Sequence, residues 1–152
     1  MDELNHPGAR ELLRDQPLAR LAYTGLDGFP RVIPIGFCCA GGRIWVGTAP
    51  NAPKVRALAA RPQVALTIDR ETSPNHALLV RGLATIEVVE GVPGEYRKAA
   101  SSAVDDARYR EFETQVCSVH ERMAWISIEP HWARYYDFVD RVPAFLLRLG
   151  QS

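Results

Sequence analysis

Short runs in which apolar and polar side chains alternate dominate the chain, and this period-two pattern predicts β-strands. Leu18 to Thr24 alternates in this way and suits a half-buried strand. Gly25-Leu26-Asp27-Gly28 follows as a turn, with Asp-Gly as the hairpin signal. Arg31 to Cys39 is predicted as one second strand; Pro34 within it has no N–H for a ladder, which places the strand at an edge or a bulge. Ala40-Gly41-Gly42 makes the next turn, and Arg43 to Thr48 is a third strand. Further strands are predicted at Gln63 to Asp69 and across Ala77 to Val89, the latter either one bent strand or two, with a bulge or bend at Gly82. Glu121 to Glu129 and Trp132 to Val139 read as two more, interrupted by Pro130.

Helical spacing appears in fewer places. Gly8 to Asp15 carries Leu12 and Leu13 inward and ends before Pro17. Lys54 to Arg61 places Val55, Leu58 and Ala59 at i, i+3, i+4, with Asn51 as the expected N-cap, Pro53 in the first turn and Pro62 as the stop. Glu95 to Val119 is expected to be mostly helical, and Pro143 to Leu149 to be a short helix or a docked tail. The reading is mainly β: a small antiparallel barrel with peripheral helices, closed so that no edge is exposed. At 152 residues one domain is expected over 1–152, with residues 1–17 as an N-terminal helix and 140–152 as a C-terminal tail.

Composition narrows the partners. The 18 basic residues balance 18 acidic ones, which argues against nucleic acid held by phosphate contacts and against a polybasic membrane surface. No signal-peptide pattern and no membrane-spanning apolar run are visible, so a cytoplasmic location is expected. Cys38, Cys39 and Cys117 form no C-x-x-C, and the four histidines show no ligand spacing, so no metal site is expected. Cys38 and Cys39, being adjacent, should point to opposite faces of a strand. All but two of the basic residues are arginine; the exceptions are Lys54 and Lys98.

Lys54 is the most informative of these. The stretch Thr48 to Arg56 runs from a strand ending in a hydroxyl, through a Pro/Asn loop, into a helix with a lysine in its first turn. A cation there opposes the helix dipole, and a bound phosphate would resolve that conflict; the alternative is a solvated lysine. A second candidate is Arg31 to Ile35, where the mid-strand proline leaves neighbouring backbone groups open to a flat heterocycle; the alternative is a plain edge strand. Trp132, with Arg134 and Tyr136 at the same strand parity, presents an aromatic and cationic face to a ligand or partner, or is a surface stripe. Ser101 and Ser102 lack nucleophile-elbow glycines, and neither a dinucleotide fingerprint nor a Walker motif is present.

The order of these pieces resembles the pyridoxamine 5′-phosphate oxidase-like family, the flavin-binding split barrels that include deazaflavin-dependent reductases. The resemblance rests on the Asp-Gly turn, the R-V-I-P-I strand, the Gly-Gly turn, I-W-V-G-T, A-P-N-A-P-K-V-R-A-L and P-Q-V-A-L-T-I-D, and extends over Leu18 to Val89, where Gly82-Leu83-Ala84 matches a G-x-A strand. It implies a six-stranded antiparallel split β-barrel and a homodimer with cofactor sites at the subunit interface. It implies FMN, or the deazaflavin F-420, as cofactor. The strand Arg31, Val32, Ile33, Pro34 and Ile35 would run along the ring and ribityl chain, with Thr48 and Lys54 at the phosphate; Trp132 joins them as a further cofactor-site candidate. Pro53 stands where a second basic residue is usual, Ala77 where a glutamine is common, and the substrate-binding C-terminal segment is not matched. The implied activity is therefore a flavin- or deazaflavin-dependent oxidoreduction of an unknown small organic substrate, with no catalytic residue assigned. A flavin-, haem- or tetrapyrrole-binding sensor or carrier on the same fold is the alternative.

Overall fold

The computed structural model describes residues 2–72, 75–101, 111–112, 122–138 and 141–145, without side chains for 98–101. A short 3-10 helix, Asp2–Asn5, precedes α1 (Pro7–Asp15). Four strands follow: β1 (Leu18–Thr24), β2 (Pro30–Gly36), β3 (Cys38–Ala40) and β4 (Arg43–Thr48). Next come α2 (Pro53–Ala60), β5 (Gln63–Arg70), β6 (His76–Glu90), α3 (Gly94–Ser101) and β7 (Arg122–Asp137). Most of the predicted helix after Glu95, including Tyr109 and Val116, and most of the predicted tail lie outside the described residues.

All strands pair antiparallel in one seven-stranded sheet of order β2-β1-β5-β6-β7-β4-β3. The mainly β, antiparallel split barrel is as the resemblance implies, with seven strands instead of six; the closure expected from the alternation pattern is corrected. The predicted second strand breaks at Phe37 into β2 and β3, which lie on opposite edges of the sheet. Only one residue separates Gly36 from Cys38, so the two edges stand within about 7 Å of each other there. The sheet therefore curls round until its edges meet at Phe37, which is buried, but no ladder joins them. This is a split barrel: chain connectivity brings the edges together, and hydrogen bonds do not seal the seam. Pro34 sits on edge strand β2, where its missing N–H is tolerated.

Two apolar layers result. Inward-facing residues of every strand, among them Leu21, Ile44, Leu66, Val80, Ile126 and Ile128, fill the barrel, and Leu12 of α1 joins them. On the opposite face of β7, Trp125 and Met123 pack with Trp45, Cys38, Tyr96 and Phe112 in a second cluster. Both faces of β7 from Met123 to Ile128 are therefore buried. Cys38 belongs to the second cluster and Cys39 packs against the first, so the adjacent thiols do face opposite ways.

The long segment after His76 is a single strand of 15 residues, and Pro130 does not end its partner, which runs 16 residues. The irregularity is a bulge: Arg81 pairs with Trp132 and Gly82 with Pro130, leaving His131 as the extra residue. Proline is accommodated because the bulge interrupts the ladder there.

Candidate functional site

The start of α2 and the β1–β2 turn face each other across a cleft of about 410 Å³. Tyr23, Arg31, Asn51, Pro53 and Arg56 are among the residues that line it. Pro53 and Arg56 lie three apart, so one side of the helix presents both. α2 itself is held from beneath by buried Ala57 and Leu58 and by Arg61, whose guanidinium donates to the Gly25 carbonyl at 2.9 Å.

The N-cap of α2 is Ala52, not Asn51, and no side chain caps the helix. Asn51 lines the cleft instead. An uncapped helix start leaves backbone donors and the positive end of the dipole available to an anion. Lys54 follows directly and is half-buried. Burial pushes its ammonium below the usual lysine value, and among the described residues no carboxylate pairs with it. Arg56 likewise has no carboxylate partner among them. Arg31 is engaged: its guanidinium donates to Asp27 at 2.8 Å and to the Phe29 carbonyl at 3.1 Å. That hydrogen bond holds the Asp27 carboxyl below the usual carboxylate range.

The candidates from the sequence thus separate into groups. Arg31 meets Pro53 and Arg56 of α2 across the cleft, whereas Lys54, in the same first turn, stands beside the cleft and does not line it. Thr48 is buried at the end of β4. On β2, Val32 and Pro34 face outward, whereas Ile33 packs against the core and Ile35 lies within it. Ile35 therefore has only its backbone to offer a ligand. Trp132 belongs elsewhere, on the outer face of β7, under the guanidinium of Arg81.

That outer face carries a second cleft, of about 460 Å³, which shares Tyr23 with the first. Arg81 and His131 line it, and neither was singled out by the sequence pattern. The pairing register that joins Arg81 to Trp132 exists only once β6 and β7 are aligned. Among the described residues no cluster of His, Cys, Asp and Glu suits a metal ion, and no helix is long and apolar enough to cross a membrane.

The seam between β2 and β3 and the single curled antiparallel sheet define the split-barrel class of fold. The chain belongs to the pyridoxamine 5′-phosphate oxidase family, whose model matches residues 6–137. No curated protein matches it. Among solved structures it resembles HutZ, the haem storage protein from Vibrio cholerae, at 17% identity and a TM-score of 0.64, covering 87% of this chain and 93% of that one. An F420 reductase matches at 22% identity and a TM-score of 0.56, over 81% and 94% of the two chains. A haem-binding protein from Mycobacterium smegmatis matches at 15% identity and a TM-score of 0.63, over 87% of this chain and 53% of that one. At these identities the likeness establishes the shared fold.

Proposed function

We propose that this chain is a flavin-dependent oxidoreductase that holds FMN, or the deazaflavin F-420, by its phosphate at the start of α2. One observation carries the reading: a half-buried lysine with no carboxylate partner among the described residues, in the first turn of an uncapped helix beside a cleft lined by Arg31, Arg56 and Asp27. Such a lysine is poorly placed for stability and well placed for a dianion. Family membership supports the same reading, and the F420 reductase shares the fold.

The residues present suit that group. Lys54 would neutralise the phosphate, with Arg56 and Arg31 completing the cationic wall and Thr48 in the adjoining strand end. Edge strand β2 keeps one row of backbone N–H and C=O groups unpaired. These groups, between Val32 and Ile35, would orient a heterocycle laid along the strand. A bound flavin or deazaflavin supplies the hydride chemistry toward a small organic substrate. The protein would act in the cytoplasm as a homodimer, with a second copy completing each site.

Purified protein should carry or take up FMN or F-420 and show the corresponding visible spectrum. Lys54→Ala should weaken FMN far more than riboflavin, which lacks the phosphate. Equal loss for the two would contradict the role given to Lys54, and a protein that binds neither cofactor would refute the reading. A second reading, a haem or tetrapyrrole carrier, draws on the fold shared with two haem proteins. A haem absorption band that forms without flavin binding would favour it.

A further inference from the structure

The N-terminal segment is seated on the barrel core around a single phenol. Ala9 and Leu12 of α1 are buried and belong to that core. Beside them Tyr135 of β7 is buried under the first turn of α1, so close that a Cβ on Gly8 would fall on its hydroxyl. The His6 ring stacks on Tyr135 with centroids 4.4 Å apart, and its Nδ1 caps α1 by accepting the Gly8 N–H at 3.0 Å. From the other side His76, the first residue of β6, holds the Tyr135 hydroxyl at 2.7 Å through its own Nδ1.

Both contacts are made by imidazole rings, which gain a proton between about pH 8 and 5. The Nδ1 lone pair that accepts the Gly8 N–H is lost when that nitrogen is protonated, so an imidazolium at His6 cannot cap the helix. It would also add a positive charge at the positive end of the α1 dipole. The charged neighbours are already matched to one another. Glu3 of the 3-10 helix accepts from Arg141 and, at 3.5 Å, from Arg134 of β7. The Arg141 guanidinium carbon lies 5.9 Å from the centre of the Tyr135 ring, and Asp137 of β7 accepts the Arg141 N–H at 3.0 Å. On α1 itself Arg10 lies one turn from His6, and Glu11 pairs with Arg70 of β5 at 3.5 Å. His76 works in the same direction as His6. Its Nε2 is buried with no hydrogen-bond partner among the described residues, so a second proton on that ring would leave a buried donor unpaired.

We propose that the segment from Asp2 to Asp15 is a proton-sensitive latch: with His6 and His76 neutral it stays seated on Tyr135, and proton uptake by these rings releases α1 and uncovers Ala9, Leu12 and the core beneath them. Acid favours the released form, in which both rings stand in water and are free to carry the proton; the seated form regains its hold as pH rises. The latch uses none of the residues at the α2 cleft, and it stands whether or not a flavin binds there.

Hydrogen exchange of the full chain, corrected for the intrinsic pH dependence of each amide, reads the opening of α1 directly. From about pH 7.5 to about pH 5.5 the opening constant of the amides from Leu12 to Gln16 should rise about three- to tenfold, the change available to a cap coupled to one proton. The amides of β5 should keep theirs. His6→Asn supplies a capping oxygen that does not titrate and should remove most of the rise. Combining it with His76→Gln should remove the remainder. A flat response in the parent overturns the proposal, as does an undiminished rise in His6→Asn or a rise that survives in the double variant. A rise confined to Gly8 through Arg10 would show fraying of the first turn without release, and an equal rise in β5 would show loosening of the whole fold; each would equally overturn it.

Discussion

Gly82 lies so close to Glu129 across the β6–β7 ladder that the Glu129 carbonyl oxygen occupies the space a Cβ at that position would need. The contact sits at the bulge, where Gly82 pairs with Pro130 and Arg81 with Trp132. The close approach thus fixes the register that stacks Arg81 on Trp132.

Gly82→Ala should destabilise the fold by about 1–3 kcal/mol, the usual cost of forcing atoms into a packed region. For a chain of this size the melting temperature should fall by roughly 2–4 °C per kcal/mol. Gly36→Ala is the control: nothing lies within 4 Å of its Cβ position, and its melting temperature should stay near that of the parent. Thermal unfolding followed by circular dichroism distinguishes the two.

Lys54 predicts a pH dependence of the ligand-free protein. Burial lowers its pKa in the folded state. The unfolded chain then binds more protons over the interval between the two pKa values, so stability rises with pH there. Lys54→Met should therefore raise the melting temperature at neutral pH. The gap should shrink as pH climbs toward the ordinary lysine value of about 10.4. In the presence of phosphate-bearing cofactor the order should reverse, because the parent gains binding stabilisation that the variant loses.

Asp27 restrains Arg31. Its carboxylate accepts a hydrogen bond from the guanidinium at 2.8 Å and offsets its charge beside the α2 cleft. Asp27→Asn should tighten FMN binding, and Arg31→Gln should weaken it, in fluorescence titrations at low salt. Raising the salt should narrow both differences, since the pair is exposed.

α1 begins at a cap of an uncommon kind. The Nδ1 atom of His6 accepts the Gly8 N–H at 3.0 Å, and its ring stacks on Tyr135 with centroids 4.4 Å apart. His6→Ala should cost about 0.5–2 kcal/mol in denaturant unfolding, the range for loss of a cap. His6→Asn should restore much of the cap and none of the stacking.

Trp125 anchors the second apolar layer. It is buried against Tyr96 and Phe112, and its indole N–H donates to the Gly91 carbonyl at 2.9 Å. Trp125→Phe should cost about 1–3 kcal/mol by leaving that carbonyl unpaired. Amide exchange should accelerate at the start of α3, around Tyr96, more than within the barrel interior.

Much of the chain was legible from local chemistry. Side-chain alternation located β1 and β5 because one face of each is buried and the other more open. Prolines and glycines marked the turns and the start of α2 because their backbone restrictions act without neighbours. Lys54 stood out because a cation opposes a helix dipole wherever that helix is placed. The break at Phe37 was hidden, since Val32 to Cys39 carries no charged side chain and nothing local shows a strand changing edges. Pro130 misled for the complementary reason: a bulge at His131, next to it in β7, lets the strand continue through it against β6.

The sequence by itself determined the mainly β class, the helix that carries Lys54 in its first turn, the family resemblance and most element positions. Those features depend on residues near one another in the chain. Only the tertiary structure decided that seven strands curl until their edges meet at Phe37. It also decided that Arg31 faces the first turn of α2 and that Arg81 rests on Trp132. These relations join positions far apart in sequence, and only the register of the sheet brings them into contact.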